Sequence, residues 1–120
     1  EEYADYIRLL IDNPRLGFTY KAYFGDIYQL DRRLLPMFDI VALFHVGEFR
    51  TEKNDSYGAL TDLEMTKVLC DRTNPGGEIL FYSGSYAFDV AERVTAELVK
   101  AKVLAESGSF KTLRIFKKIG

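Results

Sequence analysis

The sequence predicts an α/β sandwich, in which helices and strands alternate and cover a common sheet. Three observations carry this. Stretches such as Val90, Val94, Leu98 and Ala101 place apolar residues at helical spacing. The run Phe38-Asp39-Ile40-Val41-Ala42-Leu43-Phe44 has one charge among seven residues, the pattern of a parallel strand buried on both faces. Strong turn signals, Asn13-Pro14, Gly25-Asp26 and Asn74-Pro75-Gly76-Gly77, punctuate the chain between them.

Taken in order, Tyr3, Ile7, Leu10 and Ile11 mark an amphipathic helix that Asn13-Pro14 stops, since proline disfavours helical geometry in the residue before it. Phe18 to Phe24 is rich in aromatic and β-branched residues and reads as a strand that ends at Gly25-Asp26. A short helix over 31–35 precedes the apolar strand 38–44. Residues 45–60 are polar and form a loop of unusual length. Thr61 and Glu64 make a capping box, with Leu60 stapled onto Met65, so a helix starts there and runs to the Asn74-Pro75-Gly76-Gly77 turn. Glu78 to Tyr82 is the next strand, and Asp89 with Glu92 caps the following helix. Val103 to Ser107, a turn at Gly108, and Phe110 to Ile119 close the chain as a hairpin, with Lys117 and Lys118 guarding an edge strand.

Length and composition narrow the function. The 120 residues suffice for a single domain, and 48% hydrophobic with 28% charged residues is the balance of a packed one. No apolar run reaches the ~18 residues of a spanning helix, and residues 1–10 do not resemble a signal peptide, so no membrane partner is expected. One cysteine, Cys70, fits a reducing compartment, the cytoplasm. A net charge of −2 gives no long-range attraction for nucleic acid and favours a small-molecule substrate. Because Glu1-Glu2-Tyr3 enters a helical pattern at once, residues upstream of Glu1 are expected in the native protein.

Three landmarks in order resemble the C-terminal two thirds of a class I S-adenosylmethionine-dependent methyltransferase. Tyr23-Phe24-Gly25-Asp26-Ile27 is similar to that family's third strand and its Gly-Asp end. Phe38-Asp39-Ile40-Val41 through His45-Val46-Gly47-Glu48 is similar to the fourth strand and the residues just after it, and Asn74-Pro75-Gly76-Gly77-Glu78-Ile79-Leu80 to the turn into the fifth. The closing helix and hairpin fit the sixth and seventh strands, the last antiparallel. The resemblance implies a Rossmann-like sheet, mostly parallel with a C-terminal antiparallel hairpin, in three α/β/α layers. It covers nearly the whole of the single domain, residues 1–120, as the C-terminal part of a larger one. The glycine-rich motif and the first two strands are absent. At ~4.8 Å per strand, two missing strands leave a slot of about 10 Å between the strand ending at Phe24 and the strand ending at Phe44. Upstream polypeptide, self-association or a partner chain would fill it.

Open α/β sheets bind ligands beyond the C-terminal ends of their strands, which puts the candidates at Gly25-Asp26, Phe44-His45 and Ser83 to Ser85. The resemblance implies S-adenosylmethionine as cofactor, held by Gly25, Asp26, Ile27, Phe44 and His45: Asp26 would accept from the adenine amino group, the Ile27 N–H would serve the ring, and the strand end at Phe44 would meet the methionine part. The alternative for Asp26 is a turn cap, but the preceding Gly25, which lets the backbone approach a ligand closely, favours the contact; the Phe44 side chain itself reads as core. His45, the only histidine, is the weak candidate for a catalytic base or substrate contact. Glu48 is either its partner or part of a solvated charge run with Arg50, Glu52 and Lys53. Asp39 has a structural role. One histidine and one cysteine offer no metal site. The expected function is methyl transfer to an unidentified, small-molecule acceptor; the alternative is a non-catalytic α/β module, a degenerate relative that binds a partner chain.

Overall fold

The computed structural model describes residues 1–22 and 25–120. Its elements are helix α1 (Glu2–Asp12), strand β1 (Phe38–Leu43), the single turn α2 (Glu52–Asp55), helix α3 (Asp62–Asp71), strand β2 (Thr73–Tyr82), helix α4 (Phe88–Lys100) and strands β3 (Leu104–Phe110) and β4 (Leu113–Lys118). Three 3₁₀ turns, Pro14–Phe18, Ile27–Gln29 and Arg32–Leu34, lie between α1 and β1. The strands form one sheet in the order β1-β2-β4-β3. β1 is parallel to β2, while β4 is antiparallel to both β2 and β3. The α/β class and the closing hairpin stand, but with one parallel ladder in three the sheet is mixed and not mostly parallel.

Cross-strand register fixes which face is core. Val41, Ile79 and Phe116 are aligned across β1, β2 and β4, and Leu43 is aligned with Phe81. All five are buried, and they share one cluster with Met65 and Leu69 of α3 and Val94 and Leu98 of α4. Phe81 meets Phe116 edge-on at 5.6 Å, a favoured aromatic geometry. The opposite face is open: Ile40 on β1 is 63% exposed and Phe110 on β3 62%. Among the described elements the helices that cover the sheet therefore form one layer, and the expected three layers and doubly buried β1 are not seen.

Further departures have local causes. Residues 18–22 do not join the sheet as a strand. Pro14 nucleates a 3₁₀ turn, the Thr19 and Tyr20 N–H groups bond back to the Leu16 carbonyl, and the Tyr20 ring packs on Tyr6 at 5.4 Å while Tyr6 donates its hydroxyl to the Tyr20 carbonyl. The segment thus folds back on α1. Tyr23 and Phe24, the rest of that expected strand, lie outside the described residues. The radius of gyration, 15.5 Å against about 13.6 Å for a compact chain of this length, fits an α1 arm packed mainly on its own turn. No strand lies on the outer edge of β1 among the described residues.

The expected turn before β2 is instead a bulge inside the strand. Thr73 pairs with Phe38 before a register shift, and pairing resumes at Glu78 with Ile40, so Asn74–Gly77 is an extended bulge with Gly76 at φ +81°. The hairpin turns at Lys111 and Thr112, with Lys111 left-handed at φ +55°, and Gly108 marks a register shift within β3. α4 starts two residues earlier than expected: Ala87 occupies its N-cap, and Asp89, the expected cap, sits in the first turn. The capping box of Thr61 and Glu64 forms, each backbone N–H bonded by the other's side chain at 3.1 Å. β4 is interior, so Lys117 and Lys118 guard no edge; Lys118 donates to the Cys70 carbonyl at 2.7 Å and satisfies the end of α3. Asp39 has a structural partner, the Asn74 side-chain amide at 2.9 Å.

Candidate functional site

Parallel pairing brings the C-terminal ends of β1 and β2 side by side, with Leu43 opposite Phe81. The chain leaves β1 through a tight turn, His45-Val46-Gly47-Glu48, closed by the Glu48 N–H bonding to the His45 carbonyl at 3.2 Å. Glycine is required in its third position for two reasons. Gly47 has φ +87°, and a Cβ there would lie 2.6 Å from Cβ of Val90 on α4. Val46 beside it is buried in the core. The turn is thus pinned to α4, and it sets the side chains of His45 and Glu48 next to each other.

His45 Nδ1 and Glu48 Oε2 are 2.8 Å apart, with the imidazole largely exposed and the carboxylate nearly covered. Ser85, on the loop after β2, donates its hydroxyl to the same Glu48 oxygen at 2.6 Å and accepts the Ala87 N–H at 3.2 Å. Tyr86 donates its hydroxyl to the Glu48 carbonyl at 3.2 Å. The Ser85 hydrogen bond, and after it that of His45, hold the Glu48 carboxyl below the usual glutamate range. An ionised carboxylate accepts only, so the Nδ1 of His45 carries a proton toward Glu48. Phe49 lies edge-on to the imidazole at 6.2 Å and is mostly exposed, as is Tyr86. This arrangement can accept a proton and support the resulting imidazolium; Ser85 has no hydrogen bond to His45, so it is not a nucleophilic triad.

Glu48 therefore pairs with His45 instead of joining a solvated charge run. Arg50 also leaves that run: its guanidinium bonds the Leu60 carbonyl at 2.7 Å, the Ala59 carbonyl at 3.2 Å and Asp55 at 2.7 Å, folding residues 50–60 into a closed loop. Phe44 is 39% exposed and edge-on to Tyr82 at 6.3 Å, so its side chain is not core.

The second group of expected site residues is separate. Asp26 caps the Ile27–Gln29 turn: Oδ1 accepts the Tyr28 N–H at 2.8 Å, and Oδ2 accepts Gln29 Nε2 at 3.2 Å and the Tyr57 hydroxyl at 2.8 Å. These bonds lower its pKa, the Tyr28 N–H most. Tyr28 in turn donates to Asp62 at 2.8 Å; burial first, then that bond, pushes its phenol well above the ordinary value. Gly25 lines a cleft of about 470 Å³ with Glu1, Glu2, Tyr3, Tyr6, Tyr20 and Ala22, and a Cβ on it would meet nothing within 4 Å. Ile27 is partly exposed. No hydrogen bond or ring contact between described residues joins 25–27 to Phe44 or His45. Sequence reasoning missed Tyr57 as the partner of Asp26, a contact that spans 31 residues, and Phe49 as the neighbour of His45, which the tight turn at 45–48 brings alongside it.

Among the described residues no group of three or more His, Cys, Asp or Glu side chains could hold a metal ion, and no helix is long and apolar enough to cross a membrane. Comparison with family models, with curated proteins and with solved structures finds no match for this chain.

Proposed function

We propose that the chain is the C-terminal part of an S-adenosylmethionine-dependent methyltransferase domain and supplies the acceptor side of its site. One observation carries the reading: three strands, β1, β2 and β3, run in one direction with the last strand reversed, and the turn bearing His45 and Glu48 sits at the C-terminal end of the parallel pair. The family resembled has this sense for its fourth to seventh strands. The outer edge of β1, which no described strand covers, is where its remaining strands would add.

The described residues fit the donor at the end of β1, where Phe44 and His45 are partly or largely exposed. At Asp26 the fit is incomplete, since its carboxylate already serves Tyr28, Gln29 and Tyr57, which leaves the Ile27 N–H and the open α-carbon of Gly25 as the nucleoside contacts. When bound, the donor supplies a methyl group activated by its sulfonium charge. The chain's own part is to orient the acceptor and to take its proton at Nε2 of His45, with Glu48 stabilising the imidazolium and Ser85 fixing Glu48.

A second reading has its own observation. The open sheet face, with Ile40 and Phe110 exposed, suits a non-catalytic module that binds a partner chain. Equilibrium binding of S-adenosylhomocysteine separates the two: saturable binding that competes with S-adenosylmethionine supports the enzyme, and its absence together with a stable complex with another chain supports the module.

A further inference from the structure

We propose that the cleft between α4 and the closing hairpin binds a linear carboxylic acid, a fatty acid of medium chain length, with Arg114 holding its carboxylate. The cleft shares no residue with the groups at His45 and Asp26, and the proposal does not depend on methyl transfer.

On the core face the sheet is wider than the helices over it. Leu104 at the start of β3 is buried, whereas Glu106, the next residue of that strand on the same face, is exposed. Between α4 and the hairpin this leaves a cleft of about 740 Å³, within the ~300–1,000 Å³ of small-molecule sites. α4 lines its middle with small side chains, Ala91, Thr95 and Ala96, and Phe88, Val99 and Phe116 make the remaining wall apolar. Thr95 commits its hydroxyl to the Glu92 carbonyl at 3.0 Å, so it adds no free donor.

One polar group is placed to fix a ligand. Among the described lining residues, Arg114 is the only charged one that is partly buried; Glu92, Lys100 and Glu106 are exposed, where solvent screens them. Arg114 shares the core face with Phe116, two residues on. Among the described residues its guanidinium has no ion-pair partner, and its one hydrogen bond is long, to the Lys111 carbonyl at 3.5 Å. A partly desolvated guanidinium whose fork is unused matches a carboxylate with two parallel bonds. Sheet register then sets the shape of the ligand. Arg114 is aligned with Phe81 near the end of β2, where α4 begins, and Phe116 with Ile79 farther along. The cleft follows α4 from Phe88 to Val99, about 16 Å at ~1.5 Å per residue. A charge at one end of a long apolar trough suits an acyl chain with a terminal carboxylate.

Calorimetric titration with decanoate, below the concentration at which it forms micelles, tests the proposal. The comparison ligands are decanol, which lacks the charge, acetate, which lacks the chain, and decyltrimethylammonium, which reverses the charge. Single-site binding of decanoate is expected, with no measurable binding of acetate. Decanol should bind about tenfold more weakly, and Arg114→Gln should lower decanoate affinity by a similar factor, the order of a hydrogen bond to a charged group. Ala96→Phe, at an exposed position, fills the cleft and should abolish binding while the urea melt is unchanged. No saturable binding of decanoate by a chain that is folded by circular dichroism overturns the proposal. So does equal binding of decanol or decyltrimethylammonium, or a loss of binding in Ala96→Phe without one in Arg114→Gln.

Discussion

Gly47→Ala puts a methyl group where the structure has no room for it. Two costs add. The backbone at φ +87° is left-handed, which a side chain disfavours by about 1–2 kcal/mol. The new Cβ would also stand 2.6, 2.8 and 2.9 Å from Cβ, Cγ2 and Cγ1 of Val90, all well inside van der Waals contact, and overpacking of this kind costs about 1–3 kcal/mol. Their sum is about 2–5 kcal/mol. The turn can escape only by lifting off α4, and that carries Glu48 away from Ser85. Urea denaturation followed by circular dichroism measures the loss. Val90→Ala removes two of the three close contacts, so the double variant should recover about 1 kcal/mol relative to the sum of the single ones. A Gly47→Ala chain within 0.5 kcal/mol of the parent, or one with no coupling to Val90, would refute this placement of the turn.

Other predictions address the core, the thiol and the acid limb. Phe81→Ala, in a residue with no exposed surface, should cost about 3–5 kcal/mol, whereas Ile40→Ala on the open face should cost less than about 1 kcal/mol; equal losses in urea melts would contradict the one-layered sheet. Burial pushes the Cys70 thiol up to about 11, so at pH 8 it should resist a disulfide exchange reagent in the native chain and react fully in urea; rapid native labelling would place it elsewhere. Glu48 has a folded pKa below its ordinary value of 4.5, so its contacts stabilise the fold above that value and are lost as pH falls through the lowered one. Ser85→Ala, which removes the largest cause, should therefore flatten the fall in stability below pH 4.5, and an unchanged acid limb would argue against the bond.

Local signals in the sequence were legible wherever a segment settles its own geometry. α1, the capping box of Thr61 and Glu64, and α4 follow from spacing and side-chain chemistry within a few residues. Phe18 to Ala22 misled because aromatic content raises strand propensity without saying what the rings will cover; Tyr20 found Tyr6 on α1, a contact 14 residues away that no propensity encodes. The break in regular pairing at Asn74–Gly77 was legible, but it is a bulge inside β2 and not the expected turn, since Thr73 pairs with Phe38 only once the sheet has formed. At the candidate site, a histidine at a strand end was visible from the sequence. Its orientation was not: that depends on Ser85, 37 residues from Glu48, and on a glycine whose role is clear only against Val90.

Whether the end of β1 belongs to a methyl-transfer site is tested most directly by titration calorimetry of S-adenosylhomocysteine into the protein as its natural source makes it. One saturable site, weakened when His45 and Phe44 are both replaced by alanine, is the predicted result. No measurable binding by a folded protein would contradict the claim.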